Sequence, residues 1–325
     1  MIESGGRDLF VRIVKPPRLR PGARVCMVAP ASTMIDTEHY RKGKKVLENL
    51  GFHLVESCHA QDRWMLFAGT DETRADDINR AFADKSVDAI ICLRGGAGTA
   101  RLLPFIDFSV IKRNPKILVG YSDITALQLA TLAKTGLVTF YGPMVTTDMG
   151  HTWSRFSERW LLDALTRVDR DVEAGPESGA QTITLCPGKA SGRLVGGCLS
   201  VVVSTLATEW EIDTRNRILF LEDVDERPHR VDRYLTQLYL AGKLQAARGL
   251  LFGSFIRCDY PPEDELHSLG VRTLDIIREW ARRLNKPCLA GVRFGHGTDK
   301  MTIPMGGQAS LDATGRRLLL RPAVR

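Results

Sequence analysis

From residue 24 to residue 140 short apolar runs alternate with helix-type patterns, and that alternation leaves few folds open. The runs fall at residues 24–29, 53–56, 87–93, 116–119 and 137–140. Helical patterns occupy 37–50, about 71–83, the neighbourhood of 99–103, and 123–133. Gly51 sits where a helix C′ glycine belongs, and Asp71 is placed to cap the second helix. Strand and helix in strict turn predict an α/β chain with a parallel, doubly wound sheet. Val87–Leu93 is apolar throughout, as a strand buried on both faces must be.

A helix over 154–165 follows, and then the polar, Gly/Pro-containing stretch 169–179 reads as a linker. This places a first domain at 1–168, a linker at 169–189 and a second domain at 190–325. Residues 1–20 read as a frayed or surface-draped extension. In the second half Gly196-Gly197-Cys198-Leu199 opens a predicted helix to about 207. Strands are expected at 217–222, 249–255 and 288–292, helices at 230–241 and 269–284, and a hairpin around Ala313-Thr314-Gly315. Val231, Leu235, Leu238 and Tyr239 share one face of the 230–241 helix.

At 325 residues the chain can bury the cores of two domains, and 44% apolar with 26% charged residues is an ordinary globular balance. No apolar run is long enough to cross a bilayer, and no apolar signal-peptide core follows the first residues. The formal charge of +7 is spread among acids and has no interleaved aromatics, which gives no support to nucleic-acid binding. Such a field suits an anionic small substrate. The seven cysteines include no C-x-x-C pair, so neither a zinc site nor a complete disulfide framework is expected, and the cytoplasm fits best.

Lys116-Ile117-Leu118-Val119-Gly120-Tyr121-Ser122-Asp123-Ile124-Thr125 carries the chemistry. A β-branched run ends at a glycine, a serine follows two residues later, and a helix begins. That layout holds a hydroxyl at the end of a parallel strand, although the second glycine of G-x-S-x-G is missing and a serine at a helix start also serves as an N-cap. A serine nucleophile needs a base, and the base needs an orienting group. Among seven histidines His296 stands apart, between Gly295 and Gly297 directly after a strand; a surface-loop histidine has the same signature. Glu222 ends an apolar strand in Leu219-Phe220-Leu221-Glu222-Asp223-Val224, where its carboxylate reaches the sheet edge; the alternative, a solvated acidic loop, fits Asp225 and Glu226 better than Glu222. The N–H groups of Asp123 and of Gly95 and Gly96 in Arg94-Gly95-Gly96-Ala97-Gly98 are candidates for an oxyanion hole. The same glycines suit a phosphate, but the G-x-G-x-x-G frame and a Walker lysine are absent.

Together these pieces resemble the LD-carboxypeptidase family of serine peptidases, which includes murein tetrapeptide carboxypeptidases and microcin C self-immunity peptidases. The resemblance rests on Val28-Ala29-Pro30-Ala31-Ser32, Leu93 to Leu103, Gly120 to Thr125, Tyr141-Gly142-Pro143-Met144, Gly196 to Leu199, Leu219 to Val224, Gly295-His296-Gly297 and Ile303-Pro304-Met305-Gly306. It implies a flavodoxin-like N-terminal domain carrying the nucleophile Ser122. A smaller swivelling β/α domain then supplies Glu222 as acid and His296 as base. It also implies no metal or other cofactor, a cytoplasmic homodimer, and cleavage of an L,D-peptide bond in a small murein peptide during cell-wall recycling. Peptidyl-nucleotide detoxification is the alternative, to which an aromatic-lined cleft with Trp153 or Trp210 would point, and a non-catalytic ligand-binding module is the reading from another class. Arg94 and Arg101 are the arginines available for a substrate carboxylate. Ala97, Cys198 and Tyr141 depart from residues common in the family, so Ala97 and Tyr141 join Arg94 as candidate substrate contacts.

Overall fold

The fold is that of a computed structural model describing residues 11–175 and 182–325. The first half builds β1 (Arg24–Val28), β2 (His53–Glu56), β3 (Ala89–Cys92), β4 (Ile117–Gly120) and β5 (Thr139–Tyr141), parallel in the order β2-β1-β3-β4-β5. This is the flavodoxin-type order, with the reversal between β1 and β3. Both faces of the sheet are covered. Cys26 and Val28 pack into one core and Val25 and Met27 into another, which is why the strands read as unbroken apolar runs.

The second sheet contains β6 (Val172–Ala174), β7 (Ile183–Cys186), β8 (Lys189–Cys198), β9 (Ile218–Val224), β10 (Gly249–Ile256), β11 (Cys288–Ala290), β13 (Gln308–Asp312) and β14 (Arg317–Leu320). Their order is β6-β14-β13-β8-β9-β10-β11-β7, with β8 to β11 parallel. The expected hairpin is β13–β14. β12 (Ile303–Met305) leaves this half and pairs antiparallel with β5 at the edge of the first sheet.

The helix Thr125–Thr135 lies where the two halves meet and is buried almost all round. Its first residue touches β8: Thr125 Oγ1 accepts from the Cys198 amide at 3.1 Å and donates to the Ser122 carbonyl at 2.6 Å. A Cβ on Gly197, φ +135°, would strike that threonine side chain. Gly196-Gly197-Cys198 therefore ends a long strand instead of opening a helix. The helix that follows is Leu199–Ser204, shorter than its pattern suggested. Glycines in an apolar run marked close backbone approach, and the reading as a helix start mistook it.

Other expectations shift by smaller amounts. Thr70, not Asp71, is the N-cap of Asp71–Ala83; its hydroxyl accepts from the Thr73 amide, while Asp71 pairs with Arg74 and Arg101. The 99–103 pattern forms a 3₁₀ helix, Thr99–Phe105, with Pro104 inside. The 269–284 pattern divides into a 3₁₀ turn at Glu265–Leu269 and a helix at Thr273–Leu284. Strands β6 and β7 lie in the stretch read as linker; its residues 176–181 fall outside the described ones. Part of the predicted extension is tied down: Val14 bridges to Leu137, the Leu19 amide donates to the Leu165 carbonyl, and the Arg18 amide donates to the Arg325 carbonyl. Residues 1–10 lie outside the described ones.

Candidate active site

Ser122 occupies the turn between β4 and the helix Thr125–Thr135 with φ +62°, inside a short 3₁₀ turn, Ser122–Ile124. A side chain held in the left-handed region costs about 1–3 kcal/mol and persists only where the surroundings enforce it. Gly120 is one such constraint: a Cβ there would come within 2.9 Å of the Ile124 side chain. The turn stands at the carboxyl ends of the parallel strands, the usual crevice for ligands in such sheets.

Glu222 and His296 reach the same crevice from the second sheet. Glu222 lies opposite Cys198 in the β8–β9 register and is completely buried. His296 follows Gly295, which bridges to Ser254 at the end of β10. The three residues form one hydrogen-bonded line. His296 Nε2 is 3.1 Å from Ser122 Oγ, and His296 Nδ1 is 2.7 Å from Glu222 Oε2. Glu222 Oε2 also accepts the His296 amide at 3.0 Å. With Nδ1–H donating to the carboxylate, Nε2 is left to accept the serine proton.

His296 is not the loosely packed loop residue of its sequence signature. Its ring meets Tyr121 edge-on at 5.0 Å between centroids. A Cβ on Gly295, φ +88°, would overlap the Glu222 carboxylate, so the glycine is what lets loop and acid approach. Burial works against the imidazolium, but the charge and hydrogen bond of Glu222 outweigh it and raise the His296 pKa above its ordinary 6.5.

The glycine loop after β3 closes one side. A Cβ on Gly95 would lie 2.9 Å from Ser122 Cβ and 3.1 Å from its Oγ. The Ala97 amide donates to Ser32 Oγ at 3.1 Å, fastening the loop to the end of β1. Among the described residues no acceptor meets the amide N–H of Gly95, Gly96 or Asp123. The Asp123 carboxylate is turned inward, accepting the Thr99 amide at 2.8 Å, and burial raises its pKa.

The structure separates the candidate substrate contacts. Arg94 borders the loop and, among the described residues, bonds to carbonyls alone, Gly95 at 3.3 Å and Thr33 at 3.1 Å. Ala97 is exposed beside it. Arg101 pairs with Asp71 and stacks over Trp64 and Phe67. Tyr141, expected as a substrate contact, is buried beneath the site, where its hydroxyl accepts the Ser122 amide at 3.1 Å and donates to Glu222 Oε1 at 2.6 Å. Trp153 and Trp210 pack against the cores.

One group went unread in the sequence. Lys300 and Asp148, both buried, pair at 2.6 Å, and Lys300 Nζ also bonds to the Gly297 carbonyl next to His296. Tyr121 donates to Asp148 at 3.2 Å. The only trace of this pair in the sequence is two lone charges in otherwise mixed segments, too little to link residues so far apart.

Comparison with known proteins places the two halves of the chain in one family. The LD-carboxypeptidase N-terminal domain matches residues 25–142 and the LD-carboxypeptidase C-terminal domain matches residues 191–311. A probable murein peptide carboxypeptidase of Bacillus subtilis (strain 168) is 37% identical over 322 residues, 98% of each chain. The muramoyltetrapeptide carboxypeptidase of Oxalobacter formigenes superposes with a TM-score of 0.82 at 28% identity, over 93% of this chain and 100% of that one. The microcin C7 self immunity protein MccF shares the fold, with a TM-score of 0.87 at 23% identity over 96% of this chain and 100% of its own. Both halves match in order, and the chain belongs to the LD-carboxypeptidase family of serine-type hydrolases.

Proposed function

We propose that this protein is an LD-carboxypeptidase that releases a C-terminal D-amino acid from murein tetrapeptide, using Ser122, His296 and Glu222 as nucleophile, base and acid. The observation that carries the reading is the continuous hydrogen-bonded line from Ser122 Oγ through His296 to Glu222. Serine is a weak nucleophile until a base takes its proton, and such a line supplies one.

His296 accepts the Ser122 proton as Oγ attacks the carbonyl carbon of the L,D bond. Glu222 holds the tautomer and stabilises the imidazolium that forms. The N–H groups of Gly95, Gly96 and Asp123 receive the negative oxygen of the tetrahedral intermediate. His296 then protonates the departing amine, and water clears the acyl-enzyme by the reverse sequence. Arg94 meets the terminal carboxylate, since its partners among the described residues are neutral carbonyls. Residues up to about 168 carry the nucleophile and those from about 190 the acid and base. The working unit is a cytoplasmic homodimer in cell-wall recycling.

Mass spectrometry of the protein incubated with murein tetrapeptide and, separately, with an aminoacyl sulfamoyl adenosine tests the substrate. Loss of terminal D-alanine supports the proposal; cleavage of the nucleotide amide alone transfers the activity to the microcin-type substrate. Ser122→Ala is expected to lower turnover by about 10³-fold or more, and undiminished activity in that variant ends the mechanism.

A further inference from the structure

A second cleft, of about 620 Å³, opens between β8, the 211–217 segment and the helix Thr125–Thr135, and none of Ser122, Glu222 or His296 lines it. Arg193, Arg215, Arg217 and Arg248 line it together with two acids, Glu211 and Asp213. Glu211 is taken by Lys243. Asp213 pairs with Arg217 at 3.2 Å and with Arg215 at 3.0 Å. Arg193 donates to the Gly306 carbonyl at 3.1 Å. Arg248 donates to Asn216 Oδ1 at 3.2 Å and to the Ser191 carbonyl at 3.5 Å. Neither Arg193 nor Arg248 has a carboxylate partner among the described residues.

Among the described residues, the wall of the cleft thus carries two guanidinium groups, Arg193 and Arg248, that no carboxylate answers. Burial draws the Arg217 guanidinium below its usual range; Asp213 opposes this, and Arg193 and Arg215 push further down by repulsion. Burial likewise depresses Arg193. Like charges gathered in a concave site destabilise the empty protein, and an oxyanion bound among them relieves that cost. Guanidinium forks match the oxygens of phosphate two at a time, which a lysine ammonium does not do.

We propose that this cleft binds a phosphate-bearing small molecule, its anionic group seated on Arg193, Arg217 and Arg248. The volume exceeds what a bare phosphate fills and lies within the range of about 300–1,000 Å³ typical of ligand pockets. Leu129, Leu132 and Val195 form part of its wall and give the rest of the molecule an apolar surface.

Isothermal titration calorimetry of the full chain at low ionic strength, with inorganic orthophosphate and with phenyl phosphate, tests this, with sodium chloride as the control. Saturable binding of one anion per chain is expected. Arg193→Gln and Arg248→Gln should each weaken it about tenfold or more, and Ser122→Ala should leave it unchanged. Phenyl phosphate binding more tightly than orthophosphate would assign a role to the apolar wall. Arg248 is exposed, so Arg248→Gln keeps the test valid should Arg193→Gln fail to fold. Heats indistinguishable from chloride, or binding that survives Arg248→Gln, overturn the proposal. So does binding abolished by the murein tetrapeptide, which would put the anion in the catalytic crevice.

Discussion

The Tyr141 hydroxyl donates to Glu222 Oε1 at 2.6 Å, and its oxygen accepts the amide of Ser122 at 3.1 Å. One buried phenol therefore ties the strained turn of the first sheet to the carboxylate of the second. Its pKa is raised by burial and then by the Glu222 charge, so it stays a donor at neutral pH. Tyr141→Phe keeps the ring and removes both bonds. Leaving buried partners unsatisfied costs about 1–3 kcal/mol each. Urea denaturation should show a loss of that order, and kcat should fall about 10- to 100-fold with little change in KM.

Gly295 is the second sensitive point. Alanine there brings a strained positive φ and an overlap with the Glu222 carboxylate at once. The acid or the His296 loop must move, and displacements near 1 Å at a catalytic group cost about 10²-fold in rate. Gly295→Ala should lose about that much kcat/KM, while Gly270→Ala, an open position whose φ is also positive, should keep full activity.

The raised pKa of His296 fixes the direction of two pH effects. An imidazolium cannot accept the serine proton, so kcat/KM should climb with pH through a midpoint above 6.5. Stability runs the other way. The charged imidazole paired with Glu222 contributes fully below the ordinary value of 6.5 and loses that contribution as pH rises through the higher native value. The stability difference between wild type and His296→Gln, followed by urea denaturation, should be largest near about pH 5 and shrink toward about pH 9.

Lys300→Met leaves Asp148 as a buried unpaired carboxylate, which should cost about 3–5 kcal/mol. The double variant Lys300→Met with Asp148→Asn should recover much of it. Lys300 also lowers the His296 pKa, opposing Glu222. Its removal should move the acid limb of kcat/KM to still higher pH, a shift that a purely structural role would not produce.

The middle of the first sheet was legible because β3 and β4 are buried along their whole length, and an unbroken apolar run such as Ile90-Ile91-Cys92 can only sit in a core. The strand–turn–helix layout at Ser122 was legible for the same local reason. The second half was harder. β6, β7 and β12 are three or four residues long and take their meaning from partners far away in the chain. Gly196 and Gly197 announced a close approach without saying to what. Ser122, Glu222 and His296 each had an ordinary alternative in the sequence, and only family resemblance joined them. Tyr141 shows the limit of that reasoning. In the sequence it stands out only as a departure beside the pocket, yet what places it is the buried Glu222 carboxylate, 81 positions away.

The pairing of β12 with β5 has a practical consequence. A truncated protein ending before Ile303 would present the outer rim of β5 as bare amide and carbonyl groups, with Phe140 and Tyr141 alongside. Naked rims of that kind recruit other chains, so such a fragment should come out of expression as aggregate unless a peptide spanning Ile303–Met305 is supplied to complete it.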